Sequence, residues 1–330
     1  MPELPEVETM RRGIAHLVGS RIAAVSFPRG PRRPIAVSPG PRTIAGRLAG
    51  QRIAAVRRFG KRIAIELEAA VEATGQWLVI EPRMTGQLLV TAPPSRDHVR
   101  LEIRFDHDRS TPGLLFWDRR GLGTVRLLDR RGLLATCGPD RLGPDGLVVS
   151  AAELAARLGR SRRAVKVALL DQRAVAGIGN IYAAEILHRA GIDPRTRCHR
   201  LPAAAWDRIA AHARAVLAEA VRLEGSTIGD ATYRTADNRS GRFQKRHRVY
   251  GREGLPCRDC ETVIVRITQA QRSTFFCPCC QSRAGNGCRA AAGSRTRRSM
   301  QRPKIGKAGG HPVGSSVPAS AGGQHRGIHR

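Results

Sequence analysis

The spacing of hydrophobic and polar positions changes several times along the chain. Close to the N-terminus, apolar side chains recur three and four residues apart: Val7, Met10, Ile14 and Leu17. This spacing predicts an amphipathic helix, and Pro5 and Glu6 suit its first turn. Eight short segments follow, β-branched or alternating and separated by Gly, Pro and Asp: residues 21–27, 51–59, 61–68, 76–82, 86–91, 99–105, 114–118 and 124–128. They predict that residues 1–135 form a β-sandwich or flattened barrel.

The apolar period becomes helical from Ala151 onward. Four segments have apolar residues three and four apart: residues 151–159, 162–172, 181–191 and 202–225. They predict a helical domain over 151–242, joined to the strand-rich part by a linker at 136–150. Residues 225–248 are polar, basic and contain glycine, which is typical of a long mobile loop. The chain is therefore predicted to have an α+β fold with a β-sandwich and a separate helical domain.

The chain is strongly basic. Its 330 residues include 57 Lys and Arg against 27 Asp and Glu, a formal charge of +30, which indicates a polyanionic partner. Hydrophobic residues make up 41%, enough for one or two cores, whereas aromatic residues, at 4%, are too scarce for a platform on which single strands stack. Residues 282–330 contain ten of the basic residues and no acidic one, and we expect them to form a disordered basic tail.

The sequence has no feature of a secreted or membrane protein. No apolar run reaches the roughly 18–20 residues that a membrane-spanning helix needs. The N-terminus is acidic, the opposite of a signal peptide. We therefore expect an intracellular protein, in which cysteine pairs indicate a metal site before a disulfide.

Two CxxC pairs near the C-terminal end predict a structural zinc site. Their thiols belong to Cys257, Cys260, Cys277 and Cys280. The sixteen residues between the pairs contain the strand-like stretches TVIVRIT and STFF, so residues 243–281 are predicted to form a zinc-finger β-hairpin. Four thiolates complete a tetrahedral site for one Zn²⁺ and leave no position for water. Two alternatives stay open: Cys279 could compete as a ligand, or the pairs could be adventitious.

Two further features point to phosphate. Arg272 lies at the predicted tip of the hairpin, where it suits a phosphate or a narrow groove, although a lone arginine is more often solvated surface. In residues 175–187, VAGIGNIYAAEIL, Gly177 and Gly179 permit a tight backbone and Asn180 can cap the following helix. The amides at that helix start can hold a phosphate in a helix-two-turn-helix, with an ordinary interhelical turn as the alternative.

The first ten residues, MPELPEVETM, contain two prolines and three glutamates. A small residue after Met1 usually permits removal of the methionine, which would expose the secondary amine of Pro2 as a nucleophile or merely as a chain end. With RRFGKR, GIGNIYAAE and VYGREGLPCRDC…QRSTFFCPCC in this order, the sequence closely resembles the formamidopyrimidine-DNA glycosylases. These bacterial base-excision enzymes remove oxidised purines and then cut the abasic strand. The resemblance covers residues 1–281.

The resemblance implies a set of catalytic residues. Pro2 looks like the nucleophile that attacks C1′ of the damaged nucleoside, expels the base and forms an iminium, an electron sink for strand cleavage by β,δ-elimination. Glu3 resembles the general acid that protonates the deoxyribose ring oxygen. Glu6 resembles a supporting carboxylate, and a favourable charge in the first turn of a helix is an equally good interpretation. Lys61 matches a lysine that holds the phosphate beside the lesion, and Arg272 an arginine that assists the second elimination.

The resemblance also implies contacts to double-stranded DNA that contains oxidised bases. Lys166 resembles a residue on the lesion side of the site, His98 one that contacts the DNA backbone, and Asn180 lies in the phosphate-binding turn. A base turned out of the stack leaves a void, which family members fill with a methionine, an arginine and usually a phenylalanine. The matching residues are Met84, Arg120 and Leu122. Without the resemblance, Met84 and Leu122 would be ordinary core residues and His98 a surface residue.

Three departures from the family pattern affect lesion search and recognition of the oxidised base. Leu122 replaces the usual aromatic wedge, and Gly229 stands where many relatives have a lysine in the lesion-capping loop. The sequence IEPRM replaces the commoner residues before Met84.

Two rival functions remain. A glycosylase of the endonuclease VIII type would prefer oxidised pyrimidines, but Leu4 stands where that branch usually has glycine. A non-catalytic zinc-dependent nucleic-acid-binding protein would suit the charge and the CxxC pairs, but not Pro2, Glu3 and Lys61 together. The resemblance further implies a monomer in the bacterial cytoplasm, associated with the nucleoid through DNA.

Overall fold

The computed structural model describes residues 2–28, 33–68, 75–106, 113–229 and 233–281. The predicted basic tail, residues 282–330, lies outside the described residues. Within them the chain forms two β-sheets, then a group of helices and a final β-hairpin, which confirms the predicted α+β fold.

The strands agree closely with the sequence prediction. Those of the described residues are β1 (Ile22–Ser26), β2 (Ala36–Ser38), β3 (Ile53–Phe59), β4 (Arg62–Leu67), β5 (Trp77–Glu81), β6 (Gly86–Leu89), β7 (Val99–Phe105), β8 (Leu114–Asp118), β9 (Thr124–Leu128), β10 (Val265–Gln269) and β11 (Arg272–Phe276). Each of the eight predicted segments contains one strand. The prediction missed β2, which has only three residues, no buried side chain and a parallel pairing with β9.

Two sheets pack into a sandwich, not a barrel. One has the strand order β2-β9-β5-β4-β3 and the other β1-β7-β8-β6. Strand β4 shows how the sequence determines the packing, because Ile63, Ile65 and Leu67 face the core between the sheets while Ala64 and Glu66 point to the opposite face. Each buried aliphatic side chain stabilises the sandwich by about 1.5–3 kcal/mol.

The helices are α1 (Leu4–Gly13), α2 (Pro41–Leu48), α3 (Arg130–Cys137), α4 (Ala151–Leu158), α5 (Val165–Leu169), α6 (Asn180–Arg189) and α7 (Ala203–Arg222). The predicted N-terminal helix is α1, but Leu17 lies beyond it in the 3₁₀ turn Ala15–Leu17. The prediction missed α2 and α3. No helix in the described part of the chain has the length and apolarity needed to cross a membrane.

Helices α4 to α7 share a second hydrophobic core. Helix α5 is shorter than the predicted segment 162–172, because Ala164 is extended and pairs with Arg197 in an isolated bridge, so the helix begins at Val165. Leu4 of α1 is buried in this core and not in the sandwich. The N-terminal segment therefore packs against the helical half of the molecule.

An arginine joins the sandwich to the helical half. Arg58 on β3 donates from Nε to Glu8 Oε2 at 3.0 Å and from Nη1 to Asp145 Oδ2 at 2.6 Å. Glu8 belongs to α1, and Asp145 precedes α4. Because the Arg58 and Glu8 side chains are nearly buried, solvent screens this ion pair less than a surface pair.

The C-terminal module is the predicted hairpin. Strands β10 and β11 are antiparallel, and the turn between them has Ala270 at φ 45° and Gln271 at φ 59°. Arg272 follows this turn directly, as predicted for a residue at the tip.

The segment 225–248 is better packed than a mobile loop. Tyr233, Phe243 and His247 are all buried. Residues 230–232 lie outside the described residues. The described parts of this segment therefore belong to the folded body of the protein.

Candidate active site

The carboxyl group of Glu3 lies at the start of α6. Its Oε1 accepts the Ile181 N–H at 3.0 Å, and its Oε2 accepts the Tyr182 N–H at 3.4 Å. Free amides at a helix start favour an anion, and a carboxylate of the protein itself holds this position. The prediction that Asn180 caps the helix is wrong, because Gly179 is the N-cap residue and Asn180 the first residue of α6. The N-terminal segment is thereby fixed against α6.

Glycines in the turn before α6 make room for this contact. A Cβ on Gly179 would overlap the Glu3 carboxyl group, and a Cβ on Gly177 would overlap the Leu4 side chain. Gly177 also has a φ of 96°, a conformation that side-chain-bearing residues rarely adopt. The GIGN sequence is thus required by the approach of the N-terminal segment as well as by the turn itself.

Glu6 holds the same segment from the other side. Its Oε2 accepts the backbone N–H of Glu3 at 2.8 Å, and its Oε1 accepts the N–H of Ser226 at 2.8 Å and the hydroxyl of Tyr182. Burial and the nearby Glu3 charge raise the pKa of Glu6, although these hydrogen bonds oppose the shift. Glu6 thus closes the first turn of α1 in a capping box and hydrogen-bonds to the backbone of both Glu3 and Ser226.

Lys61 and Lys166 each interact electrostatically with both Glu3 and Arg272. Burial lowers the pKa of Lys61, while the Glu3 charge acts to raise it and the Arg272 charge to lower it. Burial and Arg272 also lower the pKa of Lys166, to about 8, against an opposing effect of Glu3. The sandwich, the helical half and the hairpin each supply one member of this cationic group. Such a group can bind phosphate on either side of a nucleotide.

Lys166 is completely buried and joins three elements. Its Nζ donates to Asn180 Oδ1 and, at 3.3 Å, to the backbone oxygen of Ser273. Asn180 Nδ2 donates to the same oxygen at 3.0 Å. The start of β11, and with it the neighbouring Arg272, is therefore tied to α5 and α6.

Met84 and Leu122 are exposed by 38% and 36% and so are not core residues. They lie on two loops that one buried carboxylate connects. Asp118 accepts the Thr85 hydroxyl at 2.5 Å, the Arg120 N–H at 3.2 Å and the Gly123 N–H at 2.7 Å. The loops are also joined directly, because the Arg120 N–H donates to Thr85 Oγ1 at 3.0 Å. The three predicted wedge residues therefore lie on one organised surface.

His98 lies before β7 with its ring edge against Trp117, at 5.4 Å between ring centroids and an interplanar angle of 86°. It is half-buried and not a freely solvated surface residue. Gly229, the predicted departure in the capping loop, has a φ of 53°, and among the described residues no atom lies within 4 Å of the position that a Cβ would take. Backbone conformation, and not lack of space, therefore disfavours a side chain there.

The four predicted thiols come together in the hairpin module. The sulfur atoms of Cys257, Cys260, Cys277 and Cys280 all lie within 4.8 Å of one another. The Sγ of Cys280 is 3.3 Å from that of Cys260 and 3.9 Å from that of Cys257. These separations bracket the edge of about 3.8 Å of a tetrahedron with Zn–S bonds of about 2.3 Å. The donor set therefore fits a zinc ion, and Cys279 is not a member of it.

The chain matches three family models in succession. They describe the formamidopyrimidine-DNA glycosylase N-terminal domain over residues 1–125, the H2TH domain of the same enzymes over 142–232, and a zinc finger shared with isoleucyl-tRNA synthetases over 254–283. A formamidopyrimidine-DNA glycosylase from Chloroflexus aggregans is 44% identical over 85% of this chain and 98% of its own length. One from Solibacter usitatus is 40% identical over 86% and 100%. The chain belongs to the formamidopyrimidine-DNA glycosylase family.

Solved structures of these glycosylases have the same architecture. The protein from Thermus thermophilus has a TM-score of 0.72 and 38% identity, covering 85% of this chain and 98% of its own. A Lactococcus lactis glycosylase in complex with abasic-site DNA has a TM-score of 0.73 and 30% identity, covering 85% and 99%. A variant of that enzyme with Fapy-dG DNA has a TM-score of 0.74 and 30% identity, covering 85% and 100%.

Sequence reasoning missed several residues that organise this glycosylase site. Asp118 ends a predicted strand, and an acidic residue before a glycine-containing loop is a signal that could have identified it. Glu185 of α6 accepts the backbone N–H groups of Arg248, Val249 and Tyr250 at 2.9–3.0 Å and so anchors the chain leading into the zinc finger. His188, one turn further along α6, has its Nε2 3.6 Å from Cys257 Sγ. No local pattern in the sequence predicts these contacts between distant segments.

Proposed function

We propose that this protein excises oxidised purines, 8-oxoguanine and formamidopyrimidines, from duplex DNA through an N-terminal proline and then cleaves the abasic strand. The observation that carries the proposal is the position of Glu3. Its carboxyl group, next to Pro2 in the sequence, is held by α6 and acts electrostatically on Lys61 and Lys166, on which Arg272 also acts. A nucleophile, an acid and phosphate-binding cations are the groups that this reaction needs.

In the proposed chemistry, the Pro2 nitrogen forms a bond to C1′ as the glycosidic bond breaks. The bonding electrons leave with the base, which takes up a proton. Glu3 protonates the ring oxygen, the C1′–O4′ bond opens, and loss of the amine proton gives an iminium. The iminium acidifies C2′, so removal of its proton expels the 3′ phosphate, and a second elimination expels the 5′ phosphate.

The remaining site residues bind the DNA and position it for the reaction. Lys61 and Arg272 hold the phosphates beside the lesion, and Arg272 assists the second elimination. Lys166, Asn180 and His98 contact the strand. Met84, Arg120 and Leu122 fill the void that the extruded base leaves, and the exposure of Met84 and Leu122 favours this role.

Each predicted domain has its own role in the proposed function. We propose that residues 1–135 form the catalytic domain and that residues 136–150 are a linker. Residues 151–242 bind DNA, and residues 243–281 form a zinc finger around one structural Zn²⁺. Cys257, Cys260, Cys277 and Cys280 would hold the metal, which would fold the module that presents Arg272. The protein would act as a monomer on chromosomal DNA in the bacterial cytoplasm, the organisms of its relatives being bacteria.

Borohydride trapping tests the proposal. A duplex with 8-oxoguanine should give a covalent adduct whose mass equals the chain without Met1 plus the reduced sugar–DNA fragment. Pro2→Gly should slow trapping strongly, and one extra residue before Pro2 should abolish it. Pro5→Ala, a change at a proline without a free amine, is the matched control and should still be trapped.

The other possible outcomes of the trapping experiment would favour one of the alternative functions or exclude the proline mechanism. Preferential trapping on a duplex with an oxidised pyrimidine would indicate the endonuclease VIII type of specificity. No adduct on either lesion, with DNA binding intact, would indicate a binding protein without catalysis. Normal strand cleavage by protein that keeps Met1 would rule out the proline mechanism.

A further inference from the structure

A chain of buried polar groups runs from Glu6 to a histidine outside the catalytic group. The Tyr182 hydroxyl donates to Glu6 Oε1 and lies 3.4 Å from Ser226 Oγ. Ser226 Oγ lies 3.1 Å from His247 Nε2. All four residues are buried, with exposed fractions of 5% or less. Buried polar groups are costly when unsatisfied, so each member constrains its neighbours.

The ring of His247 lies within hydrogen-bond distance of this chain of groups. Burial lowers its pKa, against opposing effects of Glu185 and of a hydrogen bond to the Tyr250 backbone, so the ring is neutral near pH 7. Phe243 and Tyr250 hold the ring edge-on at centroid distances of 5.6 and 5.7 Å.

The Ser226 hydroxyl has one proton and two possible acceptors. Tyr182 uses its own proton on Glu6, so its oxygen can only accept from Ser226. His247 Nε2 is the closer acceptor, by 3.1 against 3.4 Å. Ser226 therefore makes its closer side-chain hydrogen bond to His247, while its backbone N–H donates to Glu6 Oε1 at 2.8 Å.

We propose that His247 is a positioning residue for the N-terminal catalytic segment. Its hydrogen bond holds the Ser226 side chain, and so holds in place the Ser226 backbone N–H that donates to Glu6 Oε1. Glu6 then holds the Glu3 amide through its other oxygen, at 2.8 Å. The inference rests on the proposed function, since Glu3 and its neighbour Pro2 are the groups it positions.

Two substitutions separate the acceptor from the packing. His247→Phe keeps an aromatic ring between Phe243 and Tyr250 but removes the acceptor. His247→Gln places an amide oxygen close to the position of Nε2. Ser226→Ala removes the donor, and His16→Phe makes the same chemical change at an exposed histidine as the control.

The primary readout is the single-turnover rate of borohydride-trapped adduct on 8-oxoguanine duplex at saturating protein. We expect His247→Phe to slow it about 3–10-fold, the effect of one hydrogen bond, and His247→Gln to stay within about twofold of the wild type. Ser226→Ala should slow it similarly, and adding His247→Phe to Ser226→Ala should cost nothing more. Zinc content, affinity for undamaged duplex and the rate of His16→Phe should not change.

Amide hydrogen exchange gives a second readout that needs no chemistry. His247→Phe should speed exchange at the Glu3 and Ser226 amides, and His247→Gln should restore protection. A normal rate and normal protection in His247→Phe would overturn the inference, as would fully multiplicative effects in the double variant. A wild type that forms no adduct would overturn the proposed function alone, because the exchange experiment would still test the positioning.

Discussion

The Glu3 carboxylate accepts the backbone N–H of Ile181 at 3.0 Å, across 178 positions of sequence. Two consequences follow from this bond. It satisfies an amide at the start of α6 that would otherwise need a capping group, and it holds the acidic side chain against the positive end of a helix. The residue next to the proposed nucleophile is therefore positioned by the helical half of the molecule.

Replacing Glu3 by Gln should separate the two halves of the reaction. The amide oxygen can still accept the Ile181 N–H, but the side chain can no longer protonate the sugar. We expect base excision to fall by about 10²–10⁴, with a smaller loss on a preformed abasic site. Single-turnover rates on both duplexes measure this, with the exposed change Glu68→Gln as control. Equal losses on the two substrates would indicate structural damage or a shared binding defect.

The lowered pKa of Lys166 predicts a pH dependence of DNA binding. This pKa is about 8, so the ammonium group is charged below that pH, and its hold on Asn180 and Ser273, which positions the neighbouring Arg272, weakens as the pH rises through it. Lys166→Met should weaken binding of lesion duplex roughly tenfold at pH 7 and reduce the fall in affinity between pH 7 and 9. Lys61, whose pKa is also lowered by burial, would account for the remaining dependence. Affinity titrations at constant ionic strength test this, and the exposed change Lys245→Met should leave the pH profile unchanged.

Glu8 should contribute to stability in a defined pH window. Burial acts to raise its pKa, but hydrogen bonds from Arg11, Arg12 and Arg58 outweigh burial and lower the pKa from 4.5 to about 2. A carboxyl group whose pKa is lower in the folded than in the unfolded protein stabilises the fold at pH values above its unfolded pKa. This stabilisation is lost as the pH falls through the folded pKa. Glu8→Gln should therefore lower the free energy of unfolding by about 2 kcal/mol at pH 7, with the difference from the wild type shrinking between about pH 4.5 and 2. Urea unfolding measures the difference, and a pH-independent effect would show that packing and not charge is responsible.

Zinc removal should act on DNA binding through the hairpin. Structural zinc contributes roughly 10–16 kcal/mol in small zinc modules, so its loss unfolds the module that carries Arg272. We expect one zinc per chain, and chelation should lower duplex affinity. Cys260→Ser should behave as the chelated protein does, whereas Cys279→Ser should keep its zinc because Cys279 lies outside the sulfur cluster. Unchanged affinity in metal-free protein would break the link between zinc and DNA binding.

Local sequence patterns predicted the structural features that depend on residues close together in the sequence. Alternation predicted the strand Val99–Phe105 over its full length, and the CxxC spacing predicted the sulfur cluster. The prediction missed α2. It also placed the cap of α6 at Asn180, because a helix cap depends on distant partners as well as on the local sequence. Glu3 occupies the amides that Asn180 was expected to satisfy, and the Asn180 side chain binds Lys166 and Ser273.

Spacing between near neighbours was enough to predict eight of the strands, the cluster of four cysteines and the resemblance to a glycosylase. The folded chain was needed to show that Glu3 reaches Ile181, that Asp118 joins the two wedge loops, and that His247 faces Ser226. These contacts form only when segments distant in sequence pack together, and the residues that meet are then determined by packing. Their sequence separations carry no periodic signal from which they could be predicted.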